Sequence, residues 1–204
     1  MTETAKSNEA KKADVASNVI VDCGWGRLLF GQTFDSNEKL MRTLRAEEPG
    51  RRDIAMYLRE PHVVISLAPQ DLFLDPSHTL RLSFEHYERD ERKPKGFRIR
   101  RFESRREVQE ANRIWQQRGM VPSDLEHVMD QRDSAVVEYL VAVQEETGVV
   151  LGVVMGVDHV EAFGDPDGGS SLWALAVDPQ TPLPGVGTAL VRALIEHYID
   201  LGRE

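Results

Sequence analysis

Residues 171–200 read SLWALAVDPQTPLPGVGTALVRALIEHYID, and their order decides the fold class. The apolar run Leu172–Val177 predicts a strand, closed by Asp178 and Pro179. Beyond it Val186, Leu190, Leu194 and Tyr198 recur at four-residue spacing, the period of a helix with one buried face. Gly185 and Gly187 flank Val186 at the mouth of that helix. The first N–H groups of a helix have no partners inside it, and the helix dipole adds partial positive charge there. With no Cβ in the way, a phosphate can come close to those groups. Gly185, Val186, Gly187 and Thr188 are therefore candidate anion-binding residues, the plain alternative being a tight turn before a helix. Pro182 and Pro184, in the same loop, have no N–H to give, although their fixed φ preorganises the turn.

Working upstream, SAVVEYLVAVQ and GVVLGVVMGVDHV predict two strands joined by the turn EETG, and GDPDGG predicts a hairpin turn before the strand already described. REVQEANRIWQQRG predicts a helix with Val108, Ala111 (or Asn112) and Trp115 on one face, and Ser123 is the expected N-cap of a second over SDLEHVMDQR. FRIRRF alternates apolar and basic residues, as a half-buried edge strand does. This block, 97–204, is thus strand, helix, helix, strand, strand, with one more strand and helix added.

Residues 88–96, ERDERKPKG, are charged and end in Pro and Gly, which predicts a linker. Before it, 18–87 predicts a smaller α+β region: a hairpin over NVIVDCGWGRLLF, a helix after an Asp35–Glu38 capping box, and a second short helix over RRDIAMYLRE. HVVISLA then predicts a buried strand, and LFLDPSHTLRLSF two strands around Asp-Pro-Ser. The shared order of strand, helix, helix, strand, strand in both blocks is what a degenerate repeat would produce, although no residues align. Residues 1–17 are polar, lack the apolar core of a secretory signal, and predict a disordered tail.

The composition bounds the function. A formal charge of −9 argues against nucleic-acid or acidic-membrane partners, and no apolar run approaches a membrane span. Cys23 is the only cysteine, which excludes an internal disulfide and makes a reducing cytoplasm the expected location. It reads as a small buried hydrophobe. No zinc spacing, HExxH, GxSxG or P-loop is present, so no metal is expected.

The block from Phe97 to Glu204 resembles the GCN5-related N-acetyltransferases, through LAVDP followed by a GxG and an apolar helix. The resemblance implies an α+β fold, a mixed sheet flanked by helices, and acetyl-CoA as cofactor. Gly185 and Gly187 match the motif glycines, and Leu175 and Val177 would lie on the strand that pairs with the pantetheine arm. Pro182 stands where that family usually has Arg or Gln. VDCGWGRLLFGQTF, PGRRDIAMYLREPHVVISLAPQDLFLDPSHT and SSLWALAVDPQTPLPGVG are similar to the amino-terminal part of N-acetylglutaminylglutamine synthetases. That likeness implies acetylation of the α-amine of glutamine or a glutamine dipeptide, an ATP-grasp ligase half absent from this chain, and a product used as a compatible solute in osmoprotection. It also implies a fold incomplete after the last helix, with an exposed sheet edge through which a homodimer would form.

Acetyl transfer to an amine needs a base, and a free α-amino group with a pKa near about 8 needs only a modest one. Asp158, His159 and Glu161 are the local candidates on the strand before the cofactor strand, and His159 and Glu161, expected on one face of it by alternation, are the preferred catalytic pair. A polar strand end is the plain alternative. Tyr198 and Trp173 read as core, with Trp173 also a candidate wall of the acyl site; His127 and His197 read as solvated. Three functions follow: this acetyltransferase module, an acetyltransferase for another small amine, or a non-catalytic acyl-CoA-binding or scaffold module.

Overall fold

The computed structural model describes residues 15–90 and 93–204. Most of the expected tail therefore lies outside the described residues. Its last part is held to the body, with the Ala16 N–H donating to the Phe163 carbonyl (2.9 Å).

The amino-terminal region builds a three-stranded sheet. β1 (Ile20–Asp22) and β2 (Arg27–Phe30) form the expected hairpin, turned at Gly24, whose N–H donates to Asp22 Oδ1. α1 (Asn37–Leu44) is capped by Ser36, which accepts from the Lys39 N–H; the expected box from Asp35 does not form. Asp35 instead bonds Asn18 and Lys39.

β3 (Ile54–Met56) replaces the helix expected over 51–60, and pairs parallel to β2. Two features place it there. Asp53 accepts from the Arg27 backbone N–H (2.9 Å) and guanidinium (Nε, 3.0 Å), and a Cβ on Gly26 would overlap the Arg52 backbone. α2 (Pro61–Leu67) replaces the strand expected at 62–68: Pro61 starts it, and Val64 is buried with Leu29 and Leu40. A short apolar run suits either a strand or a buried helix, and here the proline decided. The two strands expected over 72–84 are absent, and Phe73 and Leu80 are 71% and 92% exposed. The region's order is therefore strand, strand, helix, strand, helix, with a parallel pair, unlike the block that follows.

β4 (Phe97–Arg100), α3 (Arg105–Gln117), α4 (Leu125–Asp130), β5 (Val137–Gln144), β6 (Val150–Asp158), α5 (His159–Phe163), β7 (Ser170–Val177) and α6 (Val186–Asp200) complete the fold. Asp124, not Ser123, caps α4. The strands form one antiparallel sheet in the order β4-β5-β6-β7, with FRIR at its edge as expected. All nine residues of β6 are buried, because both faces of the sheet are covered. On one face lie Val108, Ala111 and Trp115 of α3, together with Leu28 and Phe30 of β2. On the other lie Val186, Leu190, Leu194 and Tyr198 of α6. Residues from 18–87 and from 97–204 thus share one core cluster. The 88–96 stretch is described only in part; Arg89 pairs with Asp200 and Asp90 with Arg192, both on α6.

Candidate active site

β7 departs from a regular ladder in its middle. Trp173 pairs with Met155 and Ala176 with Val153, so Ala174 and Leu175 together oppose Val154. This bulge puts Ala174 at φ 49, a left-handed conformation that costs a residue with a Cβ about 1 kcal/mol or more. The Trp115 indole N–H holds it by donating to the Ala174 carbonyl (2.8 Å). Further along, Arg118 Nε donates to the Val177 carbonyl (3.0 Å). Leu175 is exposed and Val177 half-buried.

From Val177 the chain enters the proline loop through Asp178, which accepts from Arg113 (2.6 Å) and from the Gln180 N–H (2.8 Å). Burial pushes the Asp178 carboxyl up, and these two bonds outweigh it and hold the group below its ordinary range. The loop ends at Gly185, the N-cap of α6, with φ 80. No side chain caps this end and its first turn has no acidic residue. The first backbone bond of the helix runs from the Ala189 N–H to the Gly185 carbonyl (2.9 Å), so the N–H groups of Val186, Gly187 and Thr188 precede it. A Cβ on Gly185 would meet nothing within 4 Å, and one on Gly187 would meet only Val177 Cγ2 at 3.4 Å. The turn is open, positively polarised and continuous with the strand. Leu175, Val177, Gly185, Val186, Gly187 and Thr188 therefore share one end of the sheet, with the Val186 side chain in the core beneath.

His159 and Glu161 lie at the other end. They are not on a strand: β6 stops at Asp158, whose carboxylate caps α5. The His159 N–H bonds the Gly169 carbonyl, one residue before β7 begins. Val177 lies seven residues beyond Ser170, about 23 Å at strand rise. The helix also separates the two side chains. His159 is 5% exposed, with Phe30 edge-on at 5.0 Å, and its Nε2 lies 2.9 Å from Ser171 Oγ. Burial holds the His159 imidazole below its ordinary pKa, against the opposing pull of Asp165 and Asp158. Glu161 turns to Arg203 (3.0 Å) and borders a cavity of about 130 Å³ with Arg101, Glu138, His197 and Tyr198.

Cys23 is fully buried and its thiol is pushed up by desolvation, in keeping with a core role. Tyr198 is core as expected, and its buried hydroxyl has no hydrogen-bond partner among the described residues. His127 and His197 are less solvated than expected: His127 Nε2 lies 3.1 Å from the Asp22 carbonyl and His197 Nε2 lies 3.6 Å from Glu138. Trp173 is half-buried beside Trp25 (6.4 Å between ring centres), and its N–H donates to Ser171 Oγ (2.8 Å). Sequence reasoning passed over Ser171 and Asp165. The first merely opened a strand and the second lay in a turn motif, and only the β6–β7 register brings them to His159.

No protein-family model and no curated protein matches the chain. Among solved structures it is similar to a Trypanosoma brucei acetyltransferase, with 20% identity over 52% of this chain and 78% of that one and a TM-score of 0.43. It is also similar to a GNAT family acetyltransferase from Brucella melitensis in complex with acetyl-CoA, with 22% identity over 52% and 71% of the two chains and a TM-score of 0.38. An aminoglycoside acetyltransferase from an uncultured soil metagenomic sample, in complex with sisomicin, is 18% identical over 53% and 74%, with a TM-score of 0.42. At this level of likeness, activity and substrate are questions for the site itself. Among the described residues, no helix is long and apolar enough to cross a membrane.

Proposed function

We propose that this chain is an acetyl-CoA-dependent N-acetyltransferase module whose acceptor is the α-amine of glutamine or a glutamine dipeptide. One observation carries the reading: a bulged edge strand runs into an uncapped, acid-free helix mouth where a Cβ on Gly185 would touch nothing. That opening fits a pyrophosphate, an anion that needs backbone N–H donors and close approach. Gly185, Val186, Gly187 and Thr188 would hold it, and Leu175 and Val177 would border the pantetheine arm. When bound, the thioester supplies an activated acetyl group. The chain's own contribution is to fix the strand and the helix mouth, through Trp115 and Arg113 on α3 and Arg118 at its C-cap. The acceptor identity rests on the sequence likeness to N-acetylglutaminylglutamine synthetases alone.

Titrating acetyl-CoA into the protein by calorimetry tests the reading. Micromolar binding, weakened about tenfold or more by Gly187→Glu, is expected, since the new carboxylate would face the cradle donors. Absence of binding sinks the proposal. Release of coenzyme A only with glutamine or its dipeptide supports the acceptor, and release with unrelated amines points to a general small-molecule enzyme. Pro182 and Pro184 remove two potential donors and favour a second reading, a non-catalytic acyl-CoA-binding module, which binding without turnover would support.

A further inference from the structure

We propose that Ser171, His159 and Asp165 form a proton-accepting relay on the edge strand, with the Ser171 hydroxyl as the group that meets the acceptor amine. The proposal rests on the acetyl-transfer reading above and names the residues that would receive the amine's proton.

The polar atoms form a chain with one consistent direction. Asp165 Oδ2 lies 3.6 Å from His159 Nδ1, at ion-pair distance, and His159 Nε2 lies 2.9 Å from Ser171 Oγ. A hydroxyl has one proton to give and lone pairs to receive. Ser171 receives from the Trp173 N–H at 2.8 Å, leaving its own proton to point at Nε2. The carboxylate on the other side favours the tautomer with the proton on Nδ1, which makes Nε2 the acceptor.

Each member is fixed from outside. Asp165 accepts from the Gly169 N–H (3.1 Å) and the Asp167 N–H (3.2 Å). A Cβ on Gly169 would sit 2.7 Å from Asp165 Oδ2 and 3.2 Å from His159 Nδ1, so the missing side chain is what lets the two meet. Phe30, Tyr57 and Phe163 wall the ring, at 5.0, 6.0 and 5.6 Å between ring centres. The other charge near the ring, Asp158, is paired with Arg203 at 2.7 Å. His159 is buried while Ser171 is half-buried, so of the two Ser171 is the one assigned to the acceptor side. It lies on β7, three residues before the bulge at Ala174 and Leu175, on the strand that would border the pantetheine arm.

The proton balance is simple. A primary ammonium gives one proton to Ser171 Oγ as the Ser171 proton passes to His159 Nε2. The amine becomes a neutral nucleophile, and the positive charge moves to an imidazolium beside the Asp165 carboxylate. Burial keeps the resting imidazole neutral, and the Asp165 carboxylate beside it works against that burial once the ring takes the proton.

Long-range proton–nitrogen spectra of the His159 ring in the free full chain test the ground state. A neutral Nδ1–H tautomer at neutral pH, with the Nε2 resonance displaced in Ser171→Ala and a larger Nε2–H fraction in Asp165→Asn, is expected. Kinetics with glutamine test the role. Ser171→Ala should lower kcat by about a hundredfold with the acetyl-CoA Kd unchanged, and Ser171→Thr, which keeps the hydroxyl, should restore most of it. An Nε2–H tautomer in the wild type, or full kcat in Ser171→Ala, overturns the relay. If the wild type binds no acetyl-CoA, the acetyl-transfer reading has failed, and the ring spectra still decide the relay geometry.

Discussion

Replacing Arg203 with Met should weaken the fold far more than an ordinary surface change. Asp158 is 1% exposed and carries a carboxylate at the junction of β6 and α5. Its Oδ1 accepts from the Val160 and Glu161 N–H groups (2.9 and 3.1 Å), and its Oδ2 accepts from Arg203 Nε at 2.7 Å. Arg203→Met keeps much of the stem but leaves that charge without a counterion. Removing one partner of a buried pair costs about 3–5 kcal/mol, and the two surviving N–H bonds argue for the lower figure, about 3 kcal/mol. For a chain of this size that lowers the melting temperature by roughly 6–12 °C. Urea unfolding should show a lower midpoint with an unchanged slope.

Asp158→Asn keeps the cap and removes the charge, so it should cost less, about 1–2 kcal/mol, and adding Arg203→Met to it should cost little more. A loss below about 1 kcal/mol for Arg203→Met alone, or additive single losses in the double mutant, would refute this account of the junction.

Tyr198→Phe removes a buried hydroxyl that has no partner among the described residues, and should leave stability unchanged or raise it by up to about 1 kcal/mol in urea unfolding. Gly185→Ala meets open space but keeps a φ of 80, so it should cost about 1–2 kcal/mol through the backbone alone, with the helix content by circular dichroism preserved. The His159 imidazole has a lowered pKa in the folded chain, so on acidification the unfolded chain takes its proton first, near the ordinary value of 6.5. Stability should therefore fall as pH drops below that value, and His159→Gln should flatten that part of the urea-midpoint profile.

Long periodic segments were legible because packing agreed with pattern. Val186, Leu190, Leu194 and Tyr198 are all buried on one face of α6, and the strands over 137–144 and 150–158 came from their apolar density alone. The region before residue 88 was read poorly, for a physical reason. Its elements are short, and each is fixed by a distant partner: β3 by Arg27 on the hairpin, α2 by its packing on Leu29 and Leu40. The site divided in the same way. The glycine turn is local and readable, whereas Ser171 and Asp165 meet His159 only through the register of β6 with β7 and the short helix between them. Alternation along an extended strand cannot anticipate a helix capped by its own Asp158.

Helix α3, not the sheet, sets the shape of the candidate site. Two of its residues and its C-cap grip the end of β7 and the residue beyond it: Trp115 donates to the Ala174 carbonyl, Arg118 at the C-cap to the Val177 carbonyl and Arg113 to the Asp178 carboxylate. The first bond holds the bulge, and the other two fix where the strand leaves for the glycine turn. This arrangement also bears on the homodimer expected through an open sheet edge. A strand added along β7 would need its outward carbonyls, and two carbonyls of that strand already receive side-chain donors from α3 and its C-cap. Losing them to a partner strand would unpin the bulge and the loop together, so pairing along this part of β7 and an intact glycine turn compete for the same backbone atoms.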